Sequence, residues 1–311
     1  MMFMHSYTFR RNRAQNDLVL DDSYFGERVR RIAANRESGA SELAVEVVAA
    51  LLEAIELHGP MLSVGRALLK AQPSMAPVWN AVRAALPADA VAFRRYAQQV
   101  ARAPAVLTRN AAGLLLTEPD DTELTLVTLS FSGTVLLALQ NLAQRCRLQV
   151  ACADGRPALE GRRMAEQLAA AGIAVTHYTD AALGHAIAGA DAVVVGADAV
   201  SPDWFLNKCG TRMLAAAATQ QGVPVYVLAT RDKFLSRPVA SRLEVREEAA
   251  AEIWSTPPAG VTVRNPYFER TPLDLVSAVV SDVGVLGAAL VPDACPSAGD
   301  ELLIQLLDRP A

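Results

Sequence analysis

From Leu124 to Ala229 the chain repeats one pattern, a short apolar run followed by a turn and a stretch of helical periodicity. The runs are Leu124–Leu129, Leu148–Cys152, Ala174–Tyr178, Ala192–Gly196 and Pro224–Ala229. Apolar runs that alternate with helices specify βαβ units, a parallel sheet and right-handed crossovers. The preceding stretch reads differently. Leu43, Val47, Leu51, Leu52 and Ile55 recur three and four residues apart, as one face of an amphipathic helix requires. Further helices are expected over Leu62–Ala71, Pro77–Leu86 and Ala88–Val100, punctuated by Gly59–Pro60, Gln72–Pro73 and Pro87. The texture changes after Ala101–Pro104 and the acidic stretch Glu118–Glu123. The expected fold is therefore α/β: an N-terminal helical bundle over residues 1–115, then a Rossmann-like parallel-sheet domain over 116–311. A last apolar helical stretch, Glu301–Leu307, is placed to dock on the domain or on a second subunit.

Composition narrows the function classes. With 311 residues and 52% hydrophobic content the chain can bury a large core. A net charge of −4 offers no basic surface for nucleic acid, and no aromatic ladder accompanies Arg10, Arg11, Arg13, Arg30–Arg31 or Arg94–Arg95. Cys146, Cys152, Cys209 and Cys295 lack metal-ligand spacing, as do His5, His58, His177 and His185, so no metal is expected. No G-x-G-x-x-G follows the first strand, and no cofactor is expected. The start MMFMHSYTFRRNR lacks a signal-peptide core, and the thiols read as reduced, so a cytoplasmic protein is expected. The uncharged run Leu124–Ala143 is long enough to cross a bilayer, but its central polar turn Ser130–Thr134 fits a buried strand, turn and helix better.

Chemistry concentrates between Asp191 and Phe234. Asp198 follows the Ala192–Gly196 strand at once, at the strand end where open α/β sheets bind ligands. Asn207 and Lys208 come next, then Gly210 and Thr211, which open the helical run Met213–Gln220. A free helix start offers unpaired N–H groups and partial positive charge, and Lys208 adds a full one. Singly, an Asp after a strand caps a turn and an Asn-Lys pair is a solvated loop. Together they describe a site for a polar, anionic small molecule, a phosphorylated sugar or nucleotide metabolite.

Six segments in register resemble one superfamily: Thr128–Thr134 (TLSFSGT), Asp154–Gly161 (DGRPALEG), Gly196–Val200 (GADAV), Asn207–Thr211 (NKCGT), Val223–Phe234 (VPVYVLATRDKF) and Asn265–Pro272 (NPYFERTP). It joins the α, β and δ subunits of initiation factor 2B with methylthioribose-1-phosphate isomerase and ribose-1,5-bisphosphate isomerase. The resemblance implies a CoA-transferase-like sheet domain and a homodimer, with the helices after Asn265 as contact candidates. It implies two isomerase groups, a cysteine and an aspartate, which by register are Ser130 and Asp198 here. It implies substrate contacts at Asn207, Lys208, Arg156, Glu160 (glutamine in the methylthioribose-phosphate enzymes), Ser132 and Thr134. Ser38-Gly39-Ala40 and Gln72-Pro73-Ser74 resemble two further elements, each without its phosphate-facing arginine, which places Gly39 and Ala40 at the ligand and makes Arg36 or Lys70 a candidate substitute.

Serine is a far weaker acid than cysteine, whose reference pKa is about 8.5. Two readings follow. One is a regulatory, ligand-binding member similar to the factor 2B subunits; the other is an aldose-1-phosphate to ketose-phosphate isomerase using Asp198. Cys209, beside Lys208 at the helix start, is a candidate replacement thiol whose pKa that position would lower.

Overall fold

The computed structural model describes residues 24–35, 39–116, 123–245 and 247–308. Five helices come first: α1 (Tyr24–Ala34), α2 (Ala40–Glu56), α3 (Met61–Ala71), α4 (Ala76–Ala85) and α5 (Ala90–Leu115). The apolar face anticipated for α2 is buried, with Leu43, Val47, Leu51 and Ile55 all in the core. The fourth expected helix does not stop before Pro104. α5 runs through it to Leu115, a departure with a packing cause. Proline inside a helix costs about 3 kcal/mol. Beyond it Leu107, Ala111 and Ala112 are buried against Leu124, Leu136 and Leu139. Burial of one leucine contributes about 1.5–3 kcal/mol, so Leu107, with smaller contributions from Ala111 and Ala112, offsets much of that cost.

The sheet elements follow: β1 (Glu123–Val127), α6 (Gly133–Leu142), β2 (Arg147–Ala153), α7 (Glu160–Ala170), β3 (Ala174–Tyr178) and β4 (Ala192–Gly196). Next come β5 (Ala199–Val200), β6 (Trp204–Lys208), α8 (Thr211–Gln220), β7 (Val225–Leu228), α9 (Arg237–Ala240), β8 (Phe268–Pro272) and β9 (Ala278–Ser281). β10 (Gly284–Leu286), α10 (Val291–Ala294) and α11 (Asp300–Asp308) complete the described chain. All five expected strands lie in one seven-stranded sheet of order β10-β9-β7-β4-β1-β2-β3, parallel except for β10. From β1 the chain winds one way through β2 and β3, and from β4 the other way through β7 and β9. The reversal falls between β1 and β4, and ligands bind outside the carboxyl ends at such a switch point. The uncharged run from Leu124 is β1, a turn and α6. No helix among the described residues is long and apolar enough to cross a membrane.

A second sheet, β5-β6-β8, is antiparallel. Sequence patterning gives no strand there; Asn207 and Lys208 end β6 instead of lying in a loop. The helical core is closed from the far end of the chain, where Leu303 and Leu306 of α11 join Val64, Leu68 and Val82. Arg83 of α4 binds Asp300 at 2.9 Å, and Asp300 also accepts from the Ser236 hydroxyl at 2.5 Å.

The turn from β2 to α7 is the tightest approach in the sheet. A Cβ at Gly161 would lie 1.6 Å from the Ala153 carbonyl oxygen, a backbone atom that cannot yield. Gly161→Ala must therefore move α7 off β2. Overpacking of this kind costs about 1–3 kcal/mol or more. A Gly161→Ala protein with an unchanged urea midpoint would contradict this packing.

Candidate functional site

The turn after β1 carries Ser130 with φ +67°, a left-handed backbone that serine rarely adopts. Ser130 is buried, and its hydroxyl donates to Glu160 Oε1 at 3.3 Å. The same carboxylate oxygen lies 2.6 Å from Lys208 Nζ, whose side chain is 3% exposed. Lys208 Nζ also stands 4.2 Å over the ring of Tyr267. Glu160 Oε2 is shielded from solvent and has no hydrogen-bond partner among the described residues. Asp198, half-buried at the end of β4, shares this field. Burial pushes its carboxyl up to about 6; Lys233 and Lys208 pull it down, and Glu160 pushes it further up. Lys233 is itself buried, which lowers its ammonium pKa against the opposing pull of Asp198 and Asp232.

The expected residues are not all equal members. Ser130, Glu160, Lys208 and Asp198 form one charged cluster. Asn207 adjoins it on β6, with its amide donating to Thr211 Oγ1 at 2.9 Å. Ser132 packs on Gly196, where a Cβ would fall 2.5 Å from its hydroxyl, and it caps α6. Thr134 Oγ1 lies 3.2 Å from Ser41 Oγ, so the start of α6 meets the start of α2, where Gly39 and Ala40 stand. Arg156 is exposed. Its backbone N–H and that of Gly155 bind Asp180, and its side chain makes no hydrogen bond to the cluster among the described residues. Arg36 and Ser38 lie outside the described residues, and Lys70 is exposed on α3. Gln72, at a missing arginine's place, is buried and donates to the Ile32 carbonyl at 3.1 Å.

Two sequence expectations are corrected. The start of α8 is not free, because Glu269 takes the N–H groups of Gly210 (2.8 Å) and Arg212 (2.9 Å). β6–β8 pairing sets Glu269 opposite Asn207, which brings its carboxylate to that helix start. The Cys209 thiol is not activated either. Burial and then Glu269 push it up to about 11, and Lys208 opposes them without prevailing. Cys152 Sγ lies 3.4 Å from His177 Nδ1, and His177 Nε2 lies 3.0 Å from Asp154 Oδ1. Cys152 is fully buried and its thiol also sits near 11, so that chain is structural. Lys233 and Tyr267 were not singled out as site residues in the sequence. Both lie inside the quoted segments VPVYVLATRDKF and NPYFERTP, which is the signal that could have found them.

A mostly parallel sheet with a charged cluster at its switch point, backed by a helical unit, defines the class as α/β. The chain belongs to the Initiation factor 2 subunit family, which it matches over residues 36–288. It is 37% identical over 147 residues to ribose 1,5-bisphosphate isomerase of Archaeoglobus fulgidus, covering 45% of this chain and 46% of that protein. It is likewise 37% identical over 149 residues to methylthioribose-1-phosphate isomerase of Exiguobacterium sibiricum, covering 45% and 43%. These matches span about half the length of either enzyme. Translation initiation factor eIF-2B of Pyrococcus horikoshii OT3 superposes with a TM-score of 0.71 at 27% identity, over 85% of this chain and 96% of that one.

The raised Asp198 pKa fixes a sign. A carboxyl that binds its proton more tightly when folded contributes stability below its ordinary pKa of 3.8 and loses that contribution as pH rises through about 6. Relative to Asp198→Asn, the wild-type protein should lose on the order of 2 kcal/mol between about pH 4.5 and 7.5. Urea unfolding of both proteins at the two pH values measures it. Parallel pH profiles would show an unperturbed carboxyl.

Proposed function

We propose that this chain binds a phosphorylated sugar at the carboxyl ends of β1, β4 and β6, as a ligand-binding relative of the initiation factor 2B subunits. The observation that carries this reading is the enclosed set Lys208, Lys233, Asp198 and Glu160, with Glu160 Oε2 unfilled. Burying charges is costly unless each is paired and hydrogen-bonded, so an unfilled acceptor in that set calls for a ligand donor. Hydroxyl groups of a sugar supply donors, and its phosphate supplies the counter-charge for lysine. The names of the two isomerase relatives point to ribose 1,5-bisphosphate and methylthioribose 1-phosphate as first ligands. A second reading, aldose–ketose isomerisation, is favoured by the Asp198 carboxyl near 6, where it can give or take a proton close to neutrality.

A thermal-shift titration tests the binding. Ligand at one hundred times Kd stabilises by about 2.7 kcal/mol, which reads as a rise of several degrees. The rise should vanish in Lys208→Ala. No rise with either sugar phosphate in the wild-type protein would sink the reading. The homodimer belongs to the same proposal and is supported by exposed Val283, Val285 and Leu290 beside β10. A sedimentation measurement that returned a monomer would remove it.

A further inference from the structure

We infer that Glu160 is a catalytic proton acceptor in this site and, with Ser130 positioned by it, takes over the place of the missing thiol. The inference rests on the sugar-phosphate reading above and on its isomerase form. Three geometric observations support it. The hydroxyl of Ser130 donates to Glu160 Oε1 at 3.3 Å, so the residue on the strained turn is already oriented by a carboxylate. Lys208 Nζ, 2.6 Å from the same oxygen, balances the charge of that carboxylate inside the protein. Oε2 is shielded and without a partner among the described residues, so it offers an acceptor beside Lys208 and Ser130.

A serine hydroxyl alone cannot perform acid–base chemistry near neutrality, whereas a carboxylate in contact with the reacting hydroxyl can. A glutamine at this position could orient a substrate but could not accept a proton. Asp198 is the second carboxyl of the site, and the two interact electrostatically. Pairs of titratable groups in contrasting environments divide the acid and base roles. Glu160 is in contact with an ammonium; burial raises Asp198 to about 6, so a protonated fraction is available near neutrality.

The chemistry balances for a ring-closed sugar 1-phosphate. The proton of the 2-hydroxyl passes to Glu160 Oε2 as the C2–O bond becomes a carbonyl. The hydrogen on C2 moves to C1 with its electron pair. The bond from C1 to the ring oxygen breaks, and that oxygen takes the proton held by Asp198. The product is the open-chain 2-ketose 1-phosphate, and exchange with water returns both carboxyl groups to their starting forms. No oxidant or reductant enters.

Turnover of ribose 1,5-bisphosphate and of methylthioribose 1-phosphate, followed by phosphorus NMR alongside calorimetric binding of each, tests the assignment. The wild-type protein should convert at least one of them. Glu160→Gln should bind it within about threefold while kcat falls about 100-fold or more, the usual range for loss of a general base. Glu160→Asp, which keeps a carboxylate, should recover part of that loss, a rescue that a merely structural role would not give. Ser130→Ala should lose about tenfold or less, because serine positions and does not accept the proton. Binding without turnover in the wild-type protein overturns the catalytic inference and leaves the binding reading standing. Turnover by Glu160→Gln within about fivefold of wild type overturns it as well, as does a folded Glu160→Asp no better than Glu160→Gln. Failure of both sugar phosphates to bind removes the underlying reading and this inference together.

Discussion

The backbone N–H of Ala76 donates to the carbonyl of Asp198 at 3.0 Å, and four residues on, Asn80 donates to the carbonyls of Asp232 (2.6 Å) and Phe234 (2.8 Å). One helix, α4, thereby holds the loops that follow β4 and β7. Those loops carry Asp198 and Lys233. Leaving buried amide or carbonyl groups unpaired costs about 1–3 kcal/mol each, so this seam is hard to open at one point only. The sheet supplies strand ends at a switch point, and the helical unit fixes which way the groups on them face. Without α4 the two loops would be ordinary surface connections.

Much of this arrangement was readable before any coordinates. Continuous apolar runs located five of the six parallel strands, all but β9, and period-3.6 patterning located the α2, α3 and α4 helices, because burial leaves that signature directly in the residues. Placing Asp198 at a strand end needed only the position of Gly196. What was not readable depends on pairing across the chain. Trp204–Lys208 becomes a strand because Phe268–Pro272 lies beside it, a partner sixty-odd residues away that local propensity cannot sense. Glu269 reaches the start of α8 through the same register, so the sequence pointed to an open helix end where the fold provides a carboxylate. The passage of α5 through Pro104 is a third case, where tertiary burial outweighs a strong local breaker. The thiol of Cys209 is a fourth. Its neighbour Lys208 is visible in the sequence, but the burial and the Glu269 charge that outweigh it are not.

The charges of the site are internally paired. Glu160 with Lys208, and Asp198 with Lys233, place two acidic and two basic groups near one another. Their charges offset one another, which limits the desolvation cost that an unpaired lysine would impose. The arrangement differs from an anion site built from arginines. Such a site is strongly positive; here Lys208 already faces a carboxylate. Serine at position 130 fits the same logic, since its hydroxyl finds an acceptor in Glu160 instead of remaining an isolated buried donor.

The closing of the helical core by α11 has a consequence for how the protein is made. A ribosome delivers α1 to α5 well before Leu303 and Leu306 and the Asp300 carboxylate that binds Arg83, with strands β1 to β10 between them. At about 5–20 residues per second the interval is on the order of ten seconds or more. Throughout it, Val64, Leu68 and Val82 lack the Leu303 and Leu306 side chains that join them in the finished core. The core of the early helices is thus finished only after strands β1 to β10 have left the ribosome.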